Sequence, residues 1–148
     1  MDDMVSRVHD FLVKIEKDFP VPLSQKKDLY ELSKKLCDKA TLCLKIEHDE
    51  IVAMVAGYTN DEKSRIGYIS IVATSEAVRR NGFASSLVKE FLEVANHKGM
   101  KLVHLYTSTE NVNAIGFYRH LGFVDYYVDN EIRPSDCHLA YYFEGEYK

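Results

Sequence analysis

Residues 68–88 read YISIVATSEAVRRNGFASSLV, and they decide the fold: an apolar strand is joined to an amphipathic helix through a turn holding two cations and a glycine. IGYISIVAT (66–74) is apolar on both faces, as a strand inside a sheet is. Beyond the turn, Ala84, Leu87, Val88, Phe91, Leu92 and Ala95 recur at helical spacing, and Gly99 stands where the helix should end. A helix start carries unpaired backbone N–H groups and a partial positive charge. Gly82 lets the backbone come close to a bulky anion, Ala84 keeps the first turn small, and Arg79, Arg80 and Asn81 add donors. From the residues alone, the turn is either a seat for a pyrophosphate or a solvated basic turn whose glycine serves its dihedral angles. It is not a Walker-type loop, because G-x-x-x-x-G-K-[ST] does not occur.

Outward from this stretch the chain divides into short elements. VSRVHDFLVKIEKDF (5–19) has a helical apolar period, and Pro20 and Pro22 are expected to end it. Ser24 is placed to cap a second helix over about 25–39. ATLCLKIE and IVAMVAGY, separated by His48-Asp49-Glu50, predict a hairpin. TNDEKS (59–64) is a polar turn. KLVHLYT (101–107) predicts a strand, and VNAIGFYRHLGF a short helix with Ala114, Phe117, Tyr118 and Leu121 on one face and Gly122 after its end. FVDYYVD and CHLAYYFE read as closing strands. The order αα-ββ-β-α-β-α-ββ predicts an α/β (α+β) fold with a mixed sheet and helices on its faces.

Bulk properties bound the function. The chain has 148 residues, 46% of them hydrophobic and 28% charged, with a net charge of −4. That describes one domain with a real core and disfavours generic nucleic-acid binding. No apolar stretch approaches twenty residues and no signal-peptide pattern is visible, so neither membrane insertion nor export is expected. Cys37, Cys43 and Cys137 are odd in number and form no C-x-x-C pair, which suits reduced thiols in a cytoplasm rather than a disulfide or a metal site.

The run VRRNGFASSL (78–87), following a strand, resembles the R/Q-x-x-G-x-G/A signature of the GNAT-type N-acetyltransferases. Downstream, ENVNAIGFYRHLGF (110–123) resembles that family's E-N-x-x-A-x-x-x-Y-x-x-x-G-F. The resemblance covers about residues 44–128, and the pair of motifs is far more specific than either alone. It implies one GNAT-like domain over 1–148, with an N-terminal helical part to about residue 40. It also implies a mostly antiparallel sheet with splayed middle strands, and acetyl-CoA as co-substrate without a metal. The backbone of Val72, Ala73 and Thr74 would pair with the pantetheine arm. Arg79, Arg80, Asn81, Gly82, Phe83, Ala84 and Ser85 would hold the pyrophosphate. Asn111 would contact the pantetheine, and Tyr118 would stand beside the thioester sulfur as the catalytic residue. Without the family, Tyr118 reads as a core tyrosine.

The implied chemistry is attack of a neutral primary amine, on a small molecule or a peptide, at the thioester carbonyl. A backbone N–H near Val72 would meet the oxyanion, and Tyr118 would give a proton or a hydrogen bond to the sulfur. The cysteines match no nucleophile position. Ala84 replaces the second glycine, a common variant. Tyr106 stands where many relatives carry a glutamate, and a tyrosine with a pKa near ~10 is a poor base at neutral pH. That leaves His104, Glu110, the 59–64 turn or a water path as the base. Tyr58, Asn60 and Asp61 read either as acceptor lining or, better, as an exposed turn. A homodimer fits the resemblance. The competing class is an acetyl-CoA-binding module without turnover, which amine-dependent CoA release would distinguish.

Overall fold

The computed structural model describes residues 3–19, 23–25, 28–128 and 136–143. Among the described residues, four α-helices and six strands follow one another: α1 (Asp3–Ile15), α2 (Leu29–Lys39), β1 (Thr41–Glu47), β2 (Glu50–Tyr58), β3 (Ile66–Thr74), α3 (Phe83–His97), β4 (Leu102–Ser108), α4 (Val112–Leu121), β5 (Val124–Asp125) and β6 (Asp136–Tyr142). The strand order is β1-β2-β3-β4-β6-β5. The β1–β2, β4–β6 and β5–β6 pairs are antiparallel and β3–β4 is parallel, the mixed, mostly antiparallel sheet expected. The β3–β4 ladder comprises three pairs, Ile66↔Leu102, Gly67↔Val103 and Tyr68↔His104. Residue contacts gather into two compact units, residues 1–58 with 70–91, and residues 59–69 with 92–148.

In the first unit, β1 and β2 form the expected hairpin. His48 and Asp49 turn the chain with φ of 52° and 64°, the two left-handed residues that a tight hairpin needs. α1 and α2 lay Val8, Phe11, Leu12, Ile15, Leu29, Leu32 and Leu36 against Met54, Ala56 and Ile71, and Ala73 packs at the edge of that cluster. The side chains of β1 that point the other way meet the start of α3. There the Lys45 ammonium lies 5.1 Å from the Phe83 ring centroid, and the Cys43 thiol bonds to Glu90. The helices of this unit therefore cover both faces of the hairpin.

The second helix begins later than its sequence suggests. Asp28, not Ser24, is the N-cap, its Oδ1 accepting the Glu31 amide at 2.9 Å. The Ser24 N–H instead bonds to Glu16 at 3.1 Å, and the serine hydroxyl, followed by this amide, lowers the Glu16 carboxyl. An aspartate adjacent to the helical period outcompetes a serine four residues earlier, because a cap must reach the second or third helical N–H. Pro20 and Pro22 lie outside the described residues; α1 has already given way to a 3-10 turn at Glu16–Asp18.

In the second unit, β4 pairs with β6 from Leu102↔Tyr142 to Ser108↔Asp136. Alternation gives this pair two faces of different character. One is apolar: Val103, Leu105 and Leu139 are buried, and Tyr118 of α4 meets Phe123, which meets Tyr141. The other carries Tyr68, His104, Tyr106, Tyr126 and His138 in ring contact. The closing strand expected over 123–129 shrinks to Val124–Asp125, and Asp129 and Glu144 lie outside the described residues. α4 ends where Gly122, at φ 110°, sends its N–H back to Arg119; a Cβ there would meet the Tyr141 ring at 3.0 Å.

Candidate active site

The first unit holds the strand end and the basic turn. Val72, Ala73 and Thr74 are half-buried at the end of β3. After Ser75, whose N–H reaches the Val52 carbonyl at 2.8 Å, the chain makes a short 3-10 turn over Glu76–Val78. Arg80 (φ 72°) and Gly82 (φ 78°) then take left-handed conformations on either side of Asn81. For an arginine that conformation is uncommon, and turns with such residues aim successive N–H groups into one concavity. α3 begins at Phe83, and its first helical bond runs from the Ser86 N–H to the Gly82 carbonyl at 3.1 Å. The amides of Phe83, Ala84 and Ser85 precede that bond and have no place in the helical ladder. An ideal Cβ on Gly82 would meet no atom within 4 Å. Open space, free amides and the positive end of a fifteen-residue helix fit a pyrophosphate.

Arg79 is spent differently from what the sequence suggests. Its Nε donates to the Thr74 carbonyl at 3.2 Å and its Nη2 to Asp18 at 2.5 Å. The guanidinium therefore ties the end of β3 to the segment after α1, and its five donors are no longer all available to an anion. The partner lies 61 residues away in sequence, so no local signal announced it.

The second unit holds the downstream motif. Asn111 is the N-cap of α4, its Oδ1 accepting the Ala114 N–H at 3.2 Å. The cap uses the acceptor end of the amide, so any contact with an acyl carrier falls to Nδ2. Tyr118 is 8% exposed and packs edge-on against Phe117 and Phe123, with centroids 5.1 and 5.5 Å away. Burial pushes its phenol up to about 12. A thiolate whose thiol has an ordinary pKa near ~8.5 is a weaker base than such a phenolate, so full proton transfer from Tyr118 to it is uphill. Its burial therefore suits Tyr118 to giving a hydrogen bond rather than a whole proton.

The candidate bases sort themselves. Asp61 is committed to its own turn: the Ser64 amide and hydroxyl, and then the Lys63 amide, hold its carboxyl below the usual range. That supports the exposed-turn reading for Asn60 and Asp61, whereas Tyr58 is the half-buried last residue of β2, with the Lys35 ammonium 5.6 Å from its ring centroid. His104 bonds through Nδ1 to His138 Nε2 at 2.8 Å. Tyr106 stacks on the same His138 ring at 4.0 Å between centroids. His138 was not a sequence candidate. Its only signal was the alternation of Asp136, His138, Ala140 and Tyr142 along one face of the last strand.

The family model described as acetyltransferase (GNAT) family matches residues 9–123. The chain belongs to the GNAT acetyltransferase family. An uncharacterized N-acetyltransferase of Methanocaldococcus jannaschii is 32% identical over 65 residues, 44% of this chain and 29% of that one. N-alpha-acetyltransferase 30 of Schizosaccharomyces pombe is 35% identical over 60 residues, 40% of each chain. These matches span less than half the length of either relative. A GNAT-family acetyltransferase of Staphylococcus aureus superposes with a TM-score of 0.74 at 14% identity, covering 96% of this chain and 94% of that one. A GNAT-family acetyltransferase of Elizabethkingia anophelis with acetyl-CoA bound gives 0.63 at 18%, covering 84% and 92%.

Within this GNAT chain two thiols, Cys43 and Cys137, are held toward the protonated form. Burial, followed by the hydrogen bond and charge of Glu90, pushes Cys43 up to about 12. Burial and then Asp125 raise Cys137. No described helix is long and apolar enough to cross a membrane.

Proposed function

We propose that this chain, as one acetyltransferase domain over residues 1–148, transfers the acetyl group of acetyl-CoA directly to a primary amine of a small molecule or peptide. The observation that carries the reading is the start of α3. Arg80 and Gly82 are left-handed, the space at Gly82 is open, and the amides of residues 83–85 lie outside the helical ladder. Acetyl-CoA suits this donor set because its pyrophosphate is a compact double anion. The backbone of Val72, Ala73 and Thr74 is assigned to the pantetheine arm, with the Asn111 amide as a further contact. Arg80, Asn81, Gly82, Phe83, Ala84 and Ser85 are assigned to the pyrophosphate, with Arg79 as their anchor.

The neutral amine attacks the thioester carbon, and a backbone N–H near Val72 meets the oxyanion. The C–S bond then breaks while Tyr118 donates a hydrogen bond to sulfur. Cys43 and Cys137, both raised by burial, are poor candidates for an acyl-enzyme, which favours direct transfer. That relatives of this fold have acetyl-CoA bound supports the co-substrate, and the curated N-acetyltransferase relatives support the amine.

Calorimetry with acetyl-CoA on the wild-type chain and on Gly82→Trp tests the reading. Binding by the first and a large loss in the second is expected, since the indole fills the space left for phosphate. Absence of binding by the wild type ends the proposal. Binding without CoA release to any amine favours a silent acetyl-CoA-binding module instead.

A further inference from the structure

We propose that Lys45 of β1 is a phosphate-binding residue: its ammonium joins the seat at the start of α3 from another part of the chain and takes a phosphate group of the acetyl-CoA nucleotide. The inference rests on the acetyl-CoA reading above and adds to it a side chain that neither sequence motif contains.

Strand alternation and a bulge place the lysine. Leu42 and Leu44 of β1 pack toward the α1 and α2 cluster, so Cys43 and Lys45 point to the other side, where α3 lies. The β1–β2 register then shifts: Lys45 pairs with Ala53 and Ile46 with Ile51, which leaves Val52 opposite no residue of β1. A bulge of this kind bends its strand and re-aims the groups beside it. The Val52 carbonyl accepts the Ser75 N–H at 2.8 Å, and Ser75 opens the connection that leads to the basic turn. One irregularity thus fastens the start of that connection and sits beside the lysine that reaches its end. Lys45, Val52, Ser75 and Phe83 all belong to the first compact unit.

The charge around this helix start has the wrong sign for a helix left to itself. Acidic side chains suit the first turn and cations oppose it. α1 and α2 follow that rule with Asp3 and Glu31. α3 has no acid in its first turn, follows directly on the basic turn, and receives the Lys45 ammonium 5.1 Å from the ring centroid of its first residue, Phe83. Arg79 is neutralised by Asp18, but among the described residues neither Arg80 nor Lys45 has an acidic partner. Glu90 bonds to the Cys43 thiol, about two helical turns beyond Phe83. The chain carries a net charge of −4, so this local excess of cations does not come from a basic composition. A bound anion offsets it.

The ammonium is placed but not used up. A cation resting on a single ring of a half-buried residue is held loosely, and its three N–H donors remain for phosphoryl oxygens. Phe83 is also the first of the residues whose amides lie outside the helical ladder, so one residue brings ring, ammonium and backbone donor together. The amides select a phosphate by direction, whereas a lysine acts as a point charge and accepts any phosphoryl oxygen within its reach. Acetyl-CoA offers it two sources of the same chemistry, the pyrophosphate and the phosphate on the ribose 3′ oxygen.

Calorimetry on the full chain tests this, with acetyl-CoA and with 3′-dephospho-acetyl-CoA, each at low and at high sodium chloride. Lys45→Met keeps an apolar stem against the Phe83 ring and removes the charge. Its acetyl-CoA affinity should fall about tenfold or more, the worth of a hydrogen bond between charged groups. Its affinity should also depend less on salt than that of the wild type, because one fewer charge is screened. Lys45→Gln, a second neutral side chain, should repeat the loss, and Lys45→Arg should restore most of it. A loss confined to acetyl-CoA assigns the ammonium to the 3′-phosphate; an equal loss with both donors assigns it to the pyrophosphate. Wild-type affinity in Lys45→Met and Lys45→Gln overturns the proposal and leaves the cofactor reading standing. So does a loss that arginine does not repair and that leaves the salt dependence unchanged, which is the mark of altered packing. Failure of the wild type to bind acetyl-CoA ends both.

Discussion

The chain twice runs from a strand into a helix, and it finishes the two helix starts in opposite ways. Between β4 and α4 the connection is residues 109–111, and Asn111 turns its side chain onto the Ala114 N–H. Between β3 and α3 the connection is residues 75–82, ending in a glycine with no side chain to offer and φ of 78°. Asparagine leads and glycine trails as an N-cap, so the start of α3 forgoes a few tenths of a kcal/mol that the start of α4 collects. The N–H groups closed off in α4 are left available in α3. The difference teaches that an open helix end, held by neighbours instead of by its own cap, is where a ligand's charge belongs. Arg79 supplies that hold through Thr74 and Asp18.

Changing Gly82 to aspartate should break the contrast most sharply. Its carboxylate would stand within ~5 Å of the pyrophosphate, and at an effective dielectric of about 20 this repulsion is about 3 kcal/mol. Acetyl-CoA affinity by calorimetry should fall more than 100-fold, while the fold loses about 1 kcal/mol to the left-handed conformation. An unchanged affinity would show that the open end holds no phosphate.

Next comes Tyr118→Phe, which probes the α4 side. A hydrogen bond to a developing thiolate is worth about 1.5–3 kcal/mol, so kcat should drop about 10–100-fold with acetyl-CoA affinity intact. The same variant alters alkaline stability. The folded phenol is raised, so its stabilising contribution is complete below the ordinary value of about 10 and fades as pH climbs through about 12. Cys43 acts in the same direction, from its ordinary thiol value up to about 12. Urea midpoints of the wild type should fall as pH is raised from 8 to 11, and Tyr118→Phe should flatten the decline.

Asn111 separates capping from ligand contact. Asn111→Ala should cost about 1 kcal/mol and lower Tm by about 2–4 °C. Asn111→Asp keeps the capping oxygen and loses the Nδ2 donor, so Tm should hold while acetyl-CoA affinity falls about tenfold. Equal Tm losses in the two would contradict the cap. Asp18→Asn should have the smallest effect. The Arg79 and Asp18 side chains are 44% and 33% exposed, and pairs near the surface are worth about 1 kcal/mol or less. Affinity should stay within about threefold, and a larger loss would mean that the anchor sets the turn's geometry outright.

Most of the fold was legible because its signals are local. The apolar period of residues 84–95 and the Gly122 stop need only near neighbours, and the structure returns them as α3 and α4. The Ser24 cap failed on a local competition that Asp28 wins by distance along the chain. The two motifs were also legible, since a basic turn and a capped helix are each built within about ten residues. Tyr118 was named from its motif, yet only the tertiary structure shows its burial, which pushes the phenol up.

What the sequence determined by itself was the family, the element order and the place of the basic turn, all matters of spacing between residues close in the chain. What only the tertiary structure decided were the partners. Arg79 finds Asp18 across 61 residues, Cys43 finds Glu90, and His104 finds His138 across 34. Each depends on which strand or helix lies beside which and in what register. A one-residue slip of β6 against β4 would turn His138 to the apolar face and dissolve the pair.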